Sequence, residues 1–340
     1  MTLRKRKNKS RVTLQVVADL AGVNRVTAAV ALGQSPNAGT RVSEATRNRV
    51  ISAAQQLHYA PNAIARALRG ERTNIIGYYA GYEALDAHTP FTASILQGLQ
   101  QSCRAYNQDL MIFGSFERDT VDSIYATLAN GKIDGLILLP THNSPIMDRL
   151  FDSHLPVVAI ANAQPSISSV VVDDACGSTM VAKYLAQKGH QHVMFRTRKE
   201  KHISVARRLE AFLKAAAKFN LKVTVTCEAD NYLLSNQEIA LLGLARLKRP
   251  TVAVCWKDLS AYDLLGQCEQ LGLRVPQDLA IVGFDGVPLP IKPARKLTTI
   301  RAPWVDVAAQ AVTYVLKLLN EQEIPQETIL PVEFIEGDTT

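Results

Sequence analysis

From Asn74 onward the chain alternates between short apolar runs and helix-length amphipathic segments, and this alternation limits the fold more than any other feature. The runs fall at 75–79, 110–113, 135–139, 156–160, 170–172, 192–195, 222–226, 252–255 and 279–284. Segments such as 94–106, 177–187 and 206–219 lie between them. Strands that are nearly continuous Val, Ile and Leu, separated by helices, predict parallel sheet covered on both faces. About 270 residues exceed one economical doubly wound sheet, so two lobes are expected. Ligands in such folds sit beyond the carboxyl ends of the strands, which places a cleft between the lobes.

The first 72 residues do not share this pattern. They carry thirteen Lys and Arg against three acids (Asp19, Glu44 and Glu71), a net charge of +10, whereas the rest of the chain is −3. A small basic module on a near-neutral body points to nucleic acid, and more weakly to an anionic membrane surface. At 47% hydrophobic over 340 residues the chain is not a disordered one. No apolar stretch approaches the ~18 uncharged residues of a membrane span, so no membrane association is expected. The five cysteines (Cys103, Cys176, Cys227, Cys255, Cys268) are scattered, with no C-x-x-C pair. That argues against a disulfide framework or zinc ribbon and fits a reducing cytoplasm. The basic start is followed by a short apolar segment interrupted by Asp19, a poor signal peptide.

Within the basic module, residues 4–11 form a cationic arm, equally readable as a solvated tail. Thr13 can cap a helix with apolar positions Leu14, Val17, Ala18 and Ala21. Gly22 supplies a turn, and Asn24 can cap a second helix to about Leu32. A third helix is expected from Ser43 to about His58, with Val50, Ile51, Ala54 and Leu57 facing inward. A helix, a Gly turn and a second helix make the helix-turn-helix layout. A generic three-helix bundle shares that layout, but the +10 charge argues for the DNA-binding version.

Several ordered blocks carry a family resemblance. They are Val12-Thr13-Leu14-Gln15-Val16-Val17-Ala18-Asp19-Leu20-Ala21-Gly22-Val23, then Thr27, Val42-Ser43-Glu44-Ala45-Thr46-Arg47, and Tyr59-Ala60-Pro61-Asn62-Ala63-Ile64-Ala65-Arg66-Ala67-Leu68-Arg69. In the body, Asp173-Asp174-Ala175-Cys176-Gly177, Gly189-His190-Gln191-His192-Val193, Arg208-Leu209-Glu210-Ala211-Phe212, Gly272-Leu273-Arg274-Val275-Pro276-Gln277-Asp278, Val282-Gly283-Phe284-Asp285 and Leu297-Thr298-Thr299-Ile300 follow in order. Over about residues 12–338 the chain resembles the LacI/GalR family of transcriptional regulators. The resemblance implies an α/β protein with an N-terminal helix-turn-helix head and hinge, then a two-lobed periplasmic-binding-protein-like effector domain. Its expected divisions are a basic arm (1–11), the head (12–60), a hinge (61–72) and an effector-binding and dimerisation domain (73–340). In that domain the N-lobe would span about 74–173 and 302–330, and the C-lobe about 174–300.

The resemblance also implies roles for individual residues. Thr13 and Asn24 count among the DNA-binding residues; the start of the second helix would aim its N–H groups at a phosphate, and the Thr27 hydroxyl can bond another. Arg25, Val26, Ala29 and Val30 would face the major groove, while Ala28, Ala31 and Leu32 turn to the core. Arg25 is the side chain able to bond guanine O6 and N7 together; Val26 and Val30 can touch only apolar matter such as thymine methyls. The family usually has Ser and Arg where this chain has Ala29 and Val30, so its common operator does not transfer. In the hinge, Asn62, Ala65 and Leu68 share a spacing that would put Leu68 into the minor groove as a wedge, bending the duplex. The plainer alternative makes Leu68 an ordinary linker residue. A wedge needs two hinges, and therefore a homodimer on a pseudo-palindromic double-stranded operator.

For the small-molecule effector, expected to be a carbohydrate, the matching positions are Phe91, His202, Ser204, Arg208, Lys257 and Asp285. Asp285 has the alternative of capping a turn, Arg208 of forming a salt bridge across the cleft, and Lys257 of being solvated. Asp258 reads as a helix cap, and a metal site at His190 and His192 is not expected. Three departures from the family bear on the ligand: a longer loop at 81–89, Ala161 and Asn162 where a carboxylate is frequent, and Arg196, Arg198, Lys199 and Lys201 in place of a Gly-rich loop. The cationic loop with Lys257 hints at an anionic sugar. No cofactor is expected, and no enzyme: G-x-G-x-x-G, P-loop and G-x-S-x-G motifs are missing. Asp173 and Asp174, read as neighbours on a strand, would face opposite sides and could not act as an acid/base couple. Competing readings are a solute-binding protein with the same body and a ligand-independent architectural DNA binder. Repression released by ligand and repression requiring it stay equally open.

Overall fold

The computed structural model describes residues 12–33, 42–59, 72–81, 89–114, 120–140, 145–199, 202–287 and 295–340. They fall into two compact units divided between Thr73 and Asn74. The arm, the hinge with Asn62, Ala65 and Leu68, and most of the two loops at 33–41 and 81–89 lie outside the described residues.

The first unit holds α1 (Leu14–Ala21), α2 (Arg25–Ala31) and α3 (Glu44–Gln56). Each begins at a polar cap: Thr13 accepts from the Val16 N–H, Asn24 from Thr27 and Ser43 from Thr46. Gly22, at φ 63°, ends α1 in the left-handed conformation that costs glycine least. The core is made of small side chains, Val17, Ala18, Ala21, Ala28, Ala31, Val50, Ala53 and Ala54, so the three helices pack closely. Ile51 is exposed, contrary to the sequence expectation, and Ala53 takes the inward place. Val50, Ala53, Ala54 and Leu57 follow the i, i+3, i+4, i+7 stripe, and Ile51 falls to one side of it. Arg47 of α3 donates from Nη1 to the Ala31 carbonyl at 3.0 Å, closing the C-terminal end of α2.

The second unit contains two six-stranded sheets. The first has the order β11-β5-β4-β3-β1-β2, built from β1 (Ile75–Tyr79), β2 (Asp109–Phe113), β3 (Gly135–Leu138), β4 (Val157–Ile160), β5 (Ser169–Val172) and β11 (Glu327–Leu330), all parallel. The second has the order β12-β10-β9-β8-β6-β7, from β6 (His192–Thr197), β7 (Lys222–Cys227), β8 (Val252–Cys255), β9 (Ala280–Asp285), β10 (Thr298–Arg301) and β12 (Glu333–Ile335); only β12 runs antiparallel. The chain passes between sheets after β5, after β10 and after β11. Helices α4 (Pro90–Ala105), α5 (Val121–Leu128), α6 (Ile146–Phe151) and α11 (Trp304–Leu319) accompany the first sheet. Helices α7 (Asp174–Gln187), α8 (Ile203–Lys218), α9 (Asn236–Leu242) and α10 (Asp258–Gln270) accompany the second.

The apolar runs are explained by burial on both faces. Along β3, Ile137 joins one cluster while Leu136 and Leu138 join another on the opposite side. The largest cluster continues through both lobes, from Ile76, Ile95 and Leu99 to Phe212, Val282 and Phe284. Gly98 lets α4 lie against α11: a Cβ there would collide with the Val305 carbonyl oxygen and stand 2.8 Å from the Ala308 Cβ. Gly98→Ala is therefore expected to cost about 1–3 kcal/mol through overpacking, read as a lower urea midpoint with an unchanged slope.

One expectation is corrected at the lobe junction. Asp173 and Asp174 lie at a helix start, where Asp173 caps α7 through the Cys176 N–H at 2.8 Å and Asp174 opens the helix. Their carboxylates part because one caps and the other turns to Arg208.

Candidate functional site

The carboxyl ends of the two sheets face a cavity of about 340 Å³. Phe91, His202, Ser204, Arg208, Lys257 and Asp285 all line it. Phe91 comes from the first turn of α4, where Thr89 caps the helix and Pro90 occupies its first position. It meets Trp304 edge-on, with ring centroids 4.9 Å apart.

Arg208 is buried and paired. Its Nε donates to Asp174 Oδ1 at 2.7 Å and its Nη1 to the Trp256 carbonyl at 2.6 Å, with the guanidinium 3.6 Å from the Phe284 ring centroid. Asp285 Oδ1 stands 3.9 Å from Arg208 Nη1, close enough to attract and too far to hydrogen-bond. Burial pushes the Asp285 carboxyl up to about 7, against the pull of Arg208. Its backbone, at φ 131°, lies in a region L-residues rarely adopt. The salt bridge of Arg208 thus runs to Asp174 within one lobe and not across the cleft.

Asp258 corrects another expectation. It does not cap its own helix. Its carboxylate accepts from Thr299 Oγ1 at 2.5 Å and from the Gly286 N–H at 2.8 Å, tying down the loop after Asp285. Burial pushes it up to about 6. Lys257 is half-buried rather than solvated. Its Nζ donates to the Tyr232 hydroxyl at 2.7 Å and lies 4.5 Å from the centroids of both Tyr232 and Trp256. His202 stacks on Trp256 at 6.5 Å.

The basic loop read at 196–201 divides in the structure. Arg196 is wholly buried in β6 and faces away from the cavity. It donates to Glu238 at 2.9 Å, to the Ser260 carbonyl at 3.1 Å and hydroxyl at 3.2 Å, and to the Tyr232 and Leu233 carbonyls at 2.8 Å each. Arg198 does line the cavity, 5.0 Å from the Trp256 ring. His190 and His192 each bond a different threonine, Thr251 and Thr224, at 2.8 Å.

On the first unit, Asn24, Arg25 and Val26 are exposed, Thr27, Ala29 and Val30 are half-buried, and Ala28 and Ala31 are buried. The outer face of α2 accordingly presents one guanidinium among aliphatic groups. Residues 13–62 match the family described as bacterial regulatory proteins, lacI family, and residues 182–340 match a periplasmic binding protein-like domain. The HTH-type transcriptional repressor PurR of Aliivibrio fischeri is 28% identical over 325 residues, covering 92% of this chain and 93% of the relative. PurR of Escherichia fergusonii is 28% identical over 338 residues, 95% of each. The chain belongs to the LacI/GalR family. Its members' fold is also seen in the lac repressor dimer bound to operator and the anti-inducer ONPF, with a TM-score of 0.82 at 21% identity over 97% of this chain and 99% of that one. The transcriptional regulator CelR–cellobiose complex gives 0.70 at 21% identity, covering 97% of this chain and all of that one. As a LacI-family protein, this is a DNA-binding transcriptional regulator with an effector domain.

Reasoning from sequence passed over several residues of the LacI-family cleft: Tyr78, Tyr232, Trp256, Tyr262 and Trp304. Trp256 adjoins Lys257 and was findable as its neighbour. Tyr232 carries no motif, and only the turn at Asp230–Tyr232 brings it to the cavity. No helix among the described residues is long and apolar enough to cross a membrane.

Proposed function

We propose that this protein is a cytoplasmic homodimeric repressor whose hold on a pseudo-palindromic operator is set by a carbohydrate bound between the lobes. The observation that carries the reading is the convergence of Phe91, His202, Ser204, Arg208, Lys257 and Asp285 on one aromatic-lined cavity in a chain that also bears a LacI head. Rings stack on the C–H faces of a sugar, and the Asp285 carboxylate accepts from its hydroxyls. Arg196 is paired with Glu238 away from the cavity, and the cavity cations Lys257 and Arg198 already lie against Tyr232 and Trp256, so a neutral sugar is favoured. In the CelR complex that ligand is cellobiose. Ligand acts only through unequal affinity for two states of the body. No catalysis and no cofactor enter this reading.

Thr13, Asn24, Arg25, Val26, Thr27, Ala29 and Val30 form the groove-facing set, joined in this reading by Asn62, Ala65 and Leu68 of the hinge. The Thr27 N–H is already taken by Asn24, at 2.7 Å, which leaves the Thr27 hydroxyl for phosphate. Arg25→Ala is expected to weaken specific binding by roughly 5–150-fold, the worth of a bidentate guanine contact, with little change on random DNA. Fluorescence anisotropy at several salt concentrations, on the promoter-borne palindrome and on random duplex, tests this. Equal affinity for the two duplexes would remove the specific-repressor reading, and calorimetry against a panel of neutral and acidic sugars tests the effector class.

A further inference from the structure

Asn162 lines the cleft, and both polar atoms of its amide are engaged. It is buried, and it follows β4 on the lobe of the first sheet. Its Oδ1 accepts from the Ser204 N–H at 3.2 Å and from the Ser204 hydroxyl at 2.9 Å. Its Nδ2 donates to the Pro140 carbonyl at 3.1 Å and meets His202 Nδ1 at 3.3 Å. Pro140 belongs to the same lobe as Asn162; Ser204 and His202 belong to the other, at the start of α8. Only one orientation of the amide works, because a flipped one would set its NH₂ against the Ser204 N–H and its oxygen against the Pro140 carbonyl. In that orientation Nδ2 is the donor and His202 Nδ1 the acceptor.

The local backbone aims the side chain inward. Ala161 sits at φ 63°, and the Asn162 N–H bonds the Ile160 carbonyl at 2.7 Å, a tight turn at the strand end. A carboxylate here would still accept from Ser204, but it would oppose the Pro140 carbonyl. An amide suits a site with donors on one side and acceptors on the other. A second tie crosses at the outer edge, where Arg207 Nη1 of α8 meets Glu327 of β11 at 2.6 Å. That pair is partly exposed and contributes less.

We propose that Asn162 is an interlobe latch, which holds the cleft closed by protein–protein hydrogen bonds before any effector binds. The inference rests on the two-lobed body alone and stands apart from the identity of the effector. A cleft latched from inside has to open before a ligand enters, so Asn162 sets the fraction of molecules that are receptive. Each buried hydrogen bond biases such an equilibrium about five-fold.

The test uses the full-length protein without ligand. The two tryptophans of the chain, Trp256 and Trp304, both line the cleft and are 8% and 3% exposed, so acrylamide quenching of their emission reports its opening. Asn162→Ala is expected to raise the quenching constant about two-fold or more, together with the radius of gyration in X-ray scattering. Ser204→Ala removes one of the two Ser204 donors and is expected to give a smaller rise in the same direction. Lys214→Ala, on an exposed part of α8, serves as the control and leaves both unchanged. Circular dichroism checks folding, and if Asn162→Ala does not fold, Ser204→Ala decides. Quenching and scattering unchanged in every folded latch variant would overturn the proposal.

Discussion

Arg196→Met will lower the melting temperature of the effector domain by roughly 6–20 °C. Arg196 has no exposed surface, and all its donors are used, on Glu238, Ser260 and the Tyr232 and Leu233 carbonyls. Glu228 lies 3.6 Å away and is held by the Trp256 indole N–H at 2.8 Å and the Ser260 hydroxyl at 2.6 Å. Removing the cation leaves two buried carboxylates without their positive partner. Breaking a buried pair from one side costs about 3–5 kcal/mol, which for a domain of this size corresponds to roughly 2–4 °C per kcal/mol. Function should fall with stability, since Arg196 also pins the turn that carries Tyr232, where Asn231 and Tyr232 both have positive φ, 56° and 60°. Released, that turn withdraws the ring against which Lys257 lies. Arg196→Lys keeps the charge and loses the planar fork, so it should fall between wild type and Met. A shift of less than about 3 °C for Arg196→Met would contradict the assignment.

Asp285→Asn should do two opposite things. The carboxyl is pushed up to about 7 because burial penalises its charge, and Asp258, pushed up to about 6, adds to the like charge nearby. A carboxyl whose pKa is higher folded than unfolded favours the folded state at low pH. That contribution is complete below the unfolded value of about 4 and is lost as pH rises through about 7. The amide has no charge to desolvate. Unliganded Asp285→Asn should therefore melt above wild type at pH 8, with the difference closing towards pH 5. Sugar affinity should drop about 10–100-fold at pH 8, the worth of a charge-assisted hydrogen bond. Calorimetry and thermal melts at both pH values check the two halves. An equal melting difference at pH 5 and pH 8 would sink the electrostatic account.

Much of the fold was legible because its signals are local. The caps Thr13, Asn24 and Ser43, the turn at Gly22 and the apolar strands each act within a few residues. Ile51 shows the limit, since a helical stripe can be drawn one position off when Ala53 and Ile51 compete for the inward place. Arg196 shows a deeper one. Next to Arg198 and Lys199 it reads as part of a basic loop, yet its register on β6 turns it inward.

The sequence by itself determined the class of the molecule: a basic trihelical head and a body of parallel strands and helices, since periodicity, capping and charge are properties of neighbours along the chain. Its family resemblance also named six positions that line the cleft. Only the tertiary structure decided what those side chains bond. Arg196 finds Glu238 and Ser260 at separations of 42 and 64 residues, and Asn162 finds Ser204 at 42. Whether a charged or polar group is solvated, paired or latched depends on which distant groups packing places within about 3 Å of it, and on the water that packing removes.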